Sequence, residues 1–138
     1  MYHIRLYIIV FILTGLFACS GNSGNTIQKQ ETRIKFDNNV YDFGTIDFGG
    51  EGICEFVFTN TGQVPLVLTN VKSSCGCTIP EWPHEPVKPG EKGKIRVSYD
   101  TYRIGVFSKS VTVYSNATNS PSSLYIKGTV KPPEQAPS

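Results

Sequence analysis

The chain has 138 residues, of which 39% are hydrophobic and 17% are charged, and these values are typical of a globular protein. Its 13 basic and 11 acidic side chains give a formal net charge of +2 and are scattered along the sequence, which excludes the clustered lysines and arginines of a nucleic-acid-binding surface. Glycine (13) and proline (9) are frequent, which indicates one domain of short strands and many turns.

The N-terminus has the composition of an export signal. A basic residue, Arg5, precedes an apolar run from Leu6 to Phe17, and small residues follow around Cys19. Such a run is too short to cross ~30 Å of hydrocarbon comfortably, but it fits a cleavable signal peptide. Leu16-Phe17-Ala18-Cys19 also resembles the lipobox of bacterial lipoproteins, in which the cysteine carries the lipid. We therefore expect a signal peptide over residues 1–18 and lipidation at Cys19; the alternatives are an uncleaved anchor and a buried apolar segment.

The composition of residues 19–32 predicts a flexible tether. They are rich in glycine, serine and asparagine and contain one large apolar residue, Ile27, so they cannot bury enough surface to offset the entropy of ordering. The sequence thus predicts an exported protein held by lipid at the periplasmic face or on the cell surface. Ser20 is not the acidic residue that retains some lipoproteins in the inner membrane, which favours the outer membrane.

From residue 33 onward, apolar and polar residues alternate in short segments, as in strands with one buried face. The segments are 33–37, 40–46, 54–59, 63–71, 94–99, 107–115 and 124–130. The inward-facing residues are predicted to be Cys54, Phe56, Phe58, Leu66, Leu68, Ile95, Val97, Tyr99, Val111, Val113, Leu124, Ile126 and Val130. This spacing, with turn signals and no helical period, predicts an all-β, immunoglobulin-like antiparallel β-sandwich of about seven strands over residues 33–131. Residues 132–138 are predicted to form a disordered tail.

A set of short motifs gives a second indication of the fold. The motifs are Phe43-Gly44-x-Ile46, Phe56-x-Phe58-x-Asn60-x-Gly62-x-x-Pro65-Leu66, Ser74-Cys75-Gly76-Cys77-Thr78, Pro89-Gly90-Glu91, Arg103-x-Gly105-x-Phe107 and Ser115-Asn116. Over residues 41–130 this pattern resembles the domain of unknown function 1573, a family of exported bacterial immunoglobulin-like domains distantly similar to major-sperm-protein-like modules. The resemblance implies a β-sandwich and a binding or scaffold role, and it implies no particular activity. Cys54 lies outside the family pattern.

The segment 72–83 contains Cys75, Cys77 and the only tryptophan. If Cys19 carries lipid, three cysteines remain, so at least one of them is unpaired or pairs between chains. On a regular strand, residues i and i+2 stand about 6.5 Å apart, which is too far for a disulfide. A bond between Cys75 and Cys77 therefore requires a tight turn, which Gly76 permits.

Three interpretations of the cysteine pair remain open. In the favoured one, Cys75 and Cys77 are small buried hydrophobes or a local disulfide, because cysteine is among the most buried residue types. The second is a soft-metal site for Cu(I) or Zn(II), with His84 as a third ligand; a single pair with one intervening residue is not the usual zinc spacing. The third is a thiol–disulfide enzyme, although no helix N-terminus is predicted to lower a thiol pKa.

Trp82 lies between two prolines, and it either caps the end of the sandwich or presents an aromatic surface to a peptide or glycan. His84 is the only histidine after the predicted signal peptide, so no Ser–His–acid grouping exists. We therefore predict a non-catalytic envelope lipoprotein with an immunoglobulin-like binding or scaffold domain, no cofactor and no nucleic-acid partner. Its partners are expected to be the membrane, through lipid on Cys19, and an envelope protein or glycan. The alternative is a soft-metal-binding or thiol-redox protein that acts through Cys75 and Cys77.

Overall fold

The computed structural model describes residues 29–134, which form eight strands and no helix. The strands are β1 (Ile34–Phe36), β2 (Val40–Asp47), β3 (Ile53–Asn60), β4 (Leu68–Ser73), β5 (Thr78–Glu81), β6 (Lys92–Tyr99), β7 (Gly105–Ser115) and β8 (Ser122–Lys131). They form two four-stranded sheets with the strand orders β1-β3-β6-β5 and β2-β8-β7-β4. The predicted all-β immunoglobulin-like sandwich is confirmed. The predicted signal peptide, Cys19, most of the predicted tether and the last four residues lie outside the described residues.

The core between the sheets consists of the residues predicted to face inward. All thirteen are at most 8% exposed. Tyr99 also stacks on Phe107, with ring centroids 3.8 Å apart. The two-residue period therefore identified the buried faces correctly, because each sheet has one face against the other sheet and one against solvent.

One strand was not predicted and one begins later than predicted. β5 was missed because it is only four residues long and contains Pro80, which is tolerated because β5 is an edge strand. The strand predicted over residues 63–71 begins at Leu68, since Leu66 makes only an isolated antiparallel bridge with Val87.

β1 and β2 depart from a purely antiparallel sandwich. β1 pairs antiparallel with β3 in one sheet, whereas β2 pairs parallel with β8 in the other. Only residues 37–39 separate the two strands, so the chain crosses from one sheet to the other without reversing its direction. The prediction of antiparallel pairing is thus wrong for this one pair.

From β2 onward successive strands alternate in direction, so the connections collect at two ends of the sandwich. At the N-terminal end, the chain enters through residues 29–33 and meets the connections 61–67, 82–91 and 116–121. At the other end, named here the Cys-Gly-Cys end, the connections 48–52, 74–77 and 100–104 meet the residues after β8. β7, with 11 residues, runs from one end to the other over roughly 35 Å.

A buried asparagine organises the N-terminal end. The Asn60 amide donates hydrogen bonds to the carbonyls of Val64 (2.8 Å) and Val87 (2.9 Å), and its Oδ1 accepts from the Thr32 hydroxyl (2.7 Å) and the Gly62 N–H (2.9 Å). Thr32 is itself buried, so the folded domain includes it, whereas composition placed it in the tether. A threonine gives no hydrophobic signal, and its buried place depends on the asparagine 28 positions further along the chain.

Candidate functional site

Cys75 and Cys77 form a disulfide in the connection that joins β4 of one sheet to β5 of the other. Their Cα atoms are 5.3 Å apart. The Cys75 carbonyl accepts hydrogen bonds from the Ser73 hydroxyl (2.7 Å) and the Thr78 N–H (3.4 Å), and these bonds close the turn. Gly76 is exposed, its φ is not positive and a Cβ there would meet no atom within 4 Å. The turn therefore does not require the conformational freedom of glycine to which the sequence analysis assigned it.

The two cysteines of the disulfide differ in burial. Cys77 is 6% exposed and belongs to the core, and its carbonyl accepts a hydrogen bond from the Asp100 N–H (2.9 Å). Cys75 is half-buried and packs against the edge of the core. Its neighbour Gly76 is exposed. The disulfide thus lies at the boundary between core and solvent, with Cys75 as its more accessible half.

A buried hydroxyl lies against both sulfurs. Thr78 is 2% exposed, and its Oγ1 is 3.8 Å from the Cys75 Sγ and 3.9 Å from the Cys77 Sγ. Disulfide sulfurs carry no proton, so the hydroxyl is the donor. Within residues 29–134 the two sulfurs are the only hydrogen-bond partners of this hydroxyl.

Cys54 is the remaining cysteine of the described region, and its thiol is free. It is 4% exposed on the inner face of β3, and burial raises the pKa of its thiol to about 12. At neutral pH almost none of it is thiolate, the reactive form, so Cys54 is a packing residue.

His84 does not join the cysteines. It is exposed, and its ring lies 5.4 Å from the ring of Trp82. In the part of the chain that the structure describes, no group of three or more His, Cys, Asp or Glu residues is placed to hold a metal ion. The structure therefore brings Cys75 and Cys77 together but not the full predicted ligand set.

Trp82 lies in the connection after β5, at the N-terminal end. It is half-buried against the core, and it also lines an open groove of about 440 Å³ along β5 and β6. Glu81, Glu85 and Glu91 are among the residues that line this groove. The Trp82 side chain therefore both packs against the core and faces the groove.

A set of exposed apolar side chains at the Cys-Gly-Cys end was missed by the sequence analysis. Its members, named here the apolar tip, are Phe48, Ile79, Tyr102, Ile104 and Val106. The rings of Phe48 and Tyr102 meet edge to face with centroids 5.3 Å apart, and Val106 is 85% exposed. The exposed contact between Phe48 and Tyr102 makes this end a candidate interaction site, since single exposed apolar residues are common on any protein surface.

Two exposed ion pairs lie at the same end as the apolar tip. Asp47 pairs with Lys131 at 2.8 Å, and Asp100 pairs with Arg103 at 3.1 Å. Because these pairs are exposed, each contributes under about 1 kcal/mol to stability. Glu51 and Glu134 at the same end form no ion pair within residues 29–134, so acidic charge also lies near the tip.

The family model described as a protein of unknown function, DUF1573, matches residues 34–130, nearly the whole described region. The chain belongs to the DUF1573 family. No curated protein sequence matches it. Within residues 29–134 of this DUF1573 protein, no helix is long and apolar enough to cross a membrane.

Solved structures similar to this DUF1573 protein share its fold at low sequence identity. A protein of unknown function from Porphyromonas gingivalis W83 has a TM-score of 0.66 at 16% identity, over 78% of this chain and 51% of that one. The ASH/PapD-like domain 7 of human CEP192 has a TM-score of 0.63 at 10% identity, over 75% of this chain and 89% of that one. The secreted serine protease VesC from Vibrio cholerae has a TM-score of 0.54 at 13% identity, over 71% of this chain and 23% of that one. The chain thus spans about half of the first of these structures and a quarter of the protease.

The DUF1573 disulfide contributes little to stability through chain entropy. Its two cysteines are two positions apart, so it closes a ring of three residues. The loop-entropy relation gives about 1.6 kcal/mol for so small a ring, against about 3 kcal/mol for a 15-residue loop. The motif Ser-Cys-Gly-Cys-Thr therefore places at the boundary between core and solvent a disulfide that adds little stability through chain entropy.

Proposed function

We propose that the protein is a non-catalytic binding or scaffold domain, held at the periplasmic face of a membrane or on the cell surface by lipid on Cys19. The lipobox-like sequence supports the anchor, and the Gly/Ser/Asn-rich segment after it supports a flexible connection. The likeness to PapD-like domains supports a binding fold. The observation that carries the binding role is the apolar tip at the end opposite the one where the chain enters.

The position of the apolar tip suits a partner beyond the membrane surface. A lipid on Cys19 would hold the protein by its N-terminal end, and the tip lies roughly 35 Å away along the strands. Exposed apolar and aromatic side chains next to charged groups are the composition of a protein-binding surface. We therefore assign the tip to an envelope protein, and the groove beside Trp82 to a peptide or glycan as the second candidate surface.

A catalytic role has little support in the residues. His84 is exposed, and it is the only histidine beyond His3. The similarity to VesC covers 23% of that protease and is a likeness of fold alone.

The anchor and the binding surface are tested separately. Cys19→Ser should move the protein from the membrane fraction to the soluble fraction, and intact mass of the membrane-extracted protein should show an acyl adduct. A protein without the adduct would overturn the anchor.

For the binding surface, a photo-crosslinking residue at position 102 should capture an envelope protein, and this capture should be lost when Ile104→Ser is added. A crosslinker at Tyr125, an exposed position on β8, is the matched control. Equal capture at both positions would overturn the tip as the binding surface.

We propose thiol–disulfide exchange through Cys75 and Cys77 as a second candidate function. The observation that favours it is a partly accessible disulfide with a small entropic contribution to stability. Incubation of the folded protein with reduced and oxidised glutathione at fixed ratios should interconvert the two states without unfolding. Metal analysis of anaerobically purified protein distinguishes thiol–disulfide exchange from soft-metal binding. About one equivalent of metal that is lost in Cys75→Ser would favour metal binding and contradict exchange.

A further inference from the structure

Thr78 is the one polar side chain of the Cys-Gly-Cys turn that is almost fully buried and faces both reactive atoms. A buried hydroxyl usually satisfies its hydrogen-bonding capacity with a backbone carbonyl or another strong acceptor. Here the hydroxyl faces two disulfide sulfurs, at 3.8 and 3.9 Å, which are weak acceptors. A thiolate at either position would be a far stronger acceptor for the same proton. The arrangement therefore suits the reduced form of the pair better than the oxidised form.

The difference in burial between Cys75 and Cys77 determines which sulfur is attacked and which one leaves. An attacking thiolate approaches the more accessible sulfur, and access is one of the determinants of exchange. Cys75 is half-buried beside the exposed Gly76, whereas Cys77 is 6% exposed. Attack at Cys75 leaves the negative charge on the buried sulfur of Cys77, where desolvation disfavours it.

We infer, on the basis of the thiol–disulfide exchange proposed above, that Cys75 is the sulfur attacked by a partner dithiol and that the Thr78 hydroxyl stabilises Cys77 as the leaving thiolate. The partner is a protein with two neighbouring thiols. Thr78 touches the reacting sulfur and so acts in the reaction as a hydrogen-bond donor.

The exchange balances with the partner dithiol as reductant. Its first thiolate forms a bond to the Cys75 Sγ, the Cys75–Cys77 bond breaks, and the electron pair leaves on the Cys77 Sγ. The partner's second thiolate then attacks the partner sulfur of the mixed disulfide and releases Cys75 as a thiolate. The partner has lost two electrons and two protons and forms a disulfide, and Cys75 and Cys77 have gained them as thiols.

Cys54 indicates how weakly acidic the buried thiol of Cys77 would be without the Thr78 hydroxyl. Both residues are almost fully buried, and for Cys54 no hydrogen bond offsets the desolvation. Its pKa of about 12 would make it a poor leaving group at neutral pH. The Thr78 hydroxyl is the feature that separates the two sites.

The test compares Thr78→Val, which removes the hydroxyl at nearly constant volume, with Thr78→Ser, which keeps it. Thr112→Val, a half-buried threonine on β7, is the matched control. With the full mature chain, the rate of reduction by dithiothreitol is followed by alkylation and mass. Thiolate absorbance at 240 nm against pH is measured on the reduced protein. Thr78→Val should raise the pH of thiolate formation by about one unit and slow reduction about threefold to tenfold. Thr78→Ser and Thr112→Val should stay within about twofold of the parent.

To determine which sulfur is attacked first, the reaction with glutathione is quenched with acid, and the cysteine that carries the glutathione adduct is identified by peptide fragmentation. An adduct on Cys75 is the expected result, and an adduct on Cys77 would overturn the order. If the parent protein is reduced only on unfolding, the proposed exchange itself is wrong. If the parent is reduced while folded but Thr78→Val matches Thr78→Ser in both readouts, the exchange stands and the role of Thr78 is wrong. Circular dichroism of each variant confirms that the sandwich is intact.

Discussion

The two ends of the sandwich are closed by different means. At the N-terminal end, Asn60 joins four backbone and side-chain groups through buried hydrogen bonds, and no covalent link is involved. At the Cys-Gly-Cys end, backbone hydrogen bonds join the connections, a disulfide between near neighbours closes a local ring, and the exposed apolar side chains of the tip lie at the same end. The comparison separates burial from accessibility: Asn60 is fully buried, whereas the disulfide closes only a three-residue ring and Cys75 is partly accessible.

Replacement of Asn60 should have the largest effect on stability. Asn60→Ala removes the partner of the Thr32 hydroxyl, the Val64 carbonyl and the Gly62 N–H at a fully buried position, whereas the Val87 carbonyl keeps its bond from the Leu66 N–H. Each unpaired buried group costs about 1 to 3 kcal/mol, so a loss of about 3 to 5 kcal/mol is expected. Urea unfolding measures it. Asn116→Ala is the control, because Asn116 bonds the Val67 N–H and the Pro65 carbonyl at an exposed site and should lose about 1 kcal/mol. Equal losses would show that the buried network does not hold the N-terminal end.

Gly62→Ala tests the packing of the N-terminal end at a position where the backbones of two segments are in close contact. A Cβ at Gly62 would lie 2.2 Å from the Thr32 Cα and 2.5 Å from the Glu31 carbonyl oxygen, so Gly62→Ala must displace the entering chain. We expect a loss of about 2 to 4 kcal/mol in urea unfolding, because neither contact is a flexible side chain that moves aside. Amide hydrogen exchange should show the loss of protection at Gln63, whose N–H bonds the Glu31 carbonyl at 2.8 Å. A variant as stable as the parent would mean that residues 31–32 do not pack here.

Removal of the disulfide should have a smaller effect. Cys75→Ser opens a three-residue ring, and the expected loss is about 1.6 kcal/mol, whatever the role of the bond in exchange. Urea unfolding of the parent with and without dithiothreitol is an independent measurement of the same quantity, since Cys54 is the only other thiol in the folded region. A loss above about 3 kcal/mol by both routes would make the disulfide a structural staple and would remove the main support for redox exchange.

The fold was predictable because burial on one face imposes a two-residue period, as in Ile95, Val97 and Tyr99. β5 was not, because in addition to its short length and Pro80 its pattern is inverted: Ile79 is 61% exposed, and the polar Thr78 is buried. Thr78 is tolerated in the core because the sulfurs of Cys75 and Cys77 lie within reach of its hydroxyl.

The parts of the site that join distant residues could not be predicted from the sequence, because a local pattern does not show which distant residues meet. Asn60 belongs to the quoted motifs, but its partners lie up to 28 positions away. The apolar tip draws Phe48 and Tyr102 from connections 54 positions apart, and nothing local in either connection indicates that they meet. The sequence therefore predicted which faces are buried, whereas it did not show which distant polar groups and loops come together.

Gly76 should show the smallest effect, and its value lies in the contrast with Gly62. A methyl group at position 76 points into open space, and the backbone φ is one that alanine adopts, so Gly76→Ala should change stability by less than about 1 kcal/mol. If the stability is unchanged but partner crosslinking or disulfide reduction slows, the added methyl obstructs an approaching molecule rather than the fold. If Gly76→Ala destabilises the protein as much as Gly62→Ala does, the turn at Cys75 and Cys77 is as constrained as the N-terminal end, and the two ends do not differ in the way described.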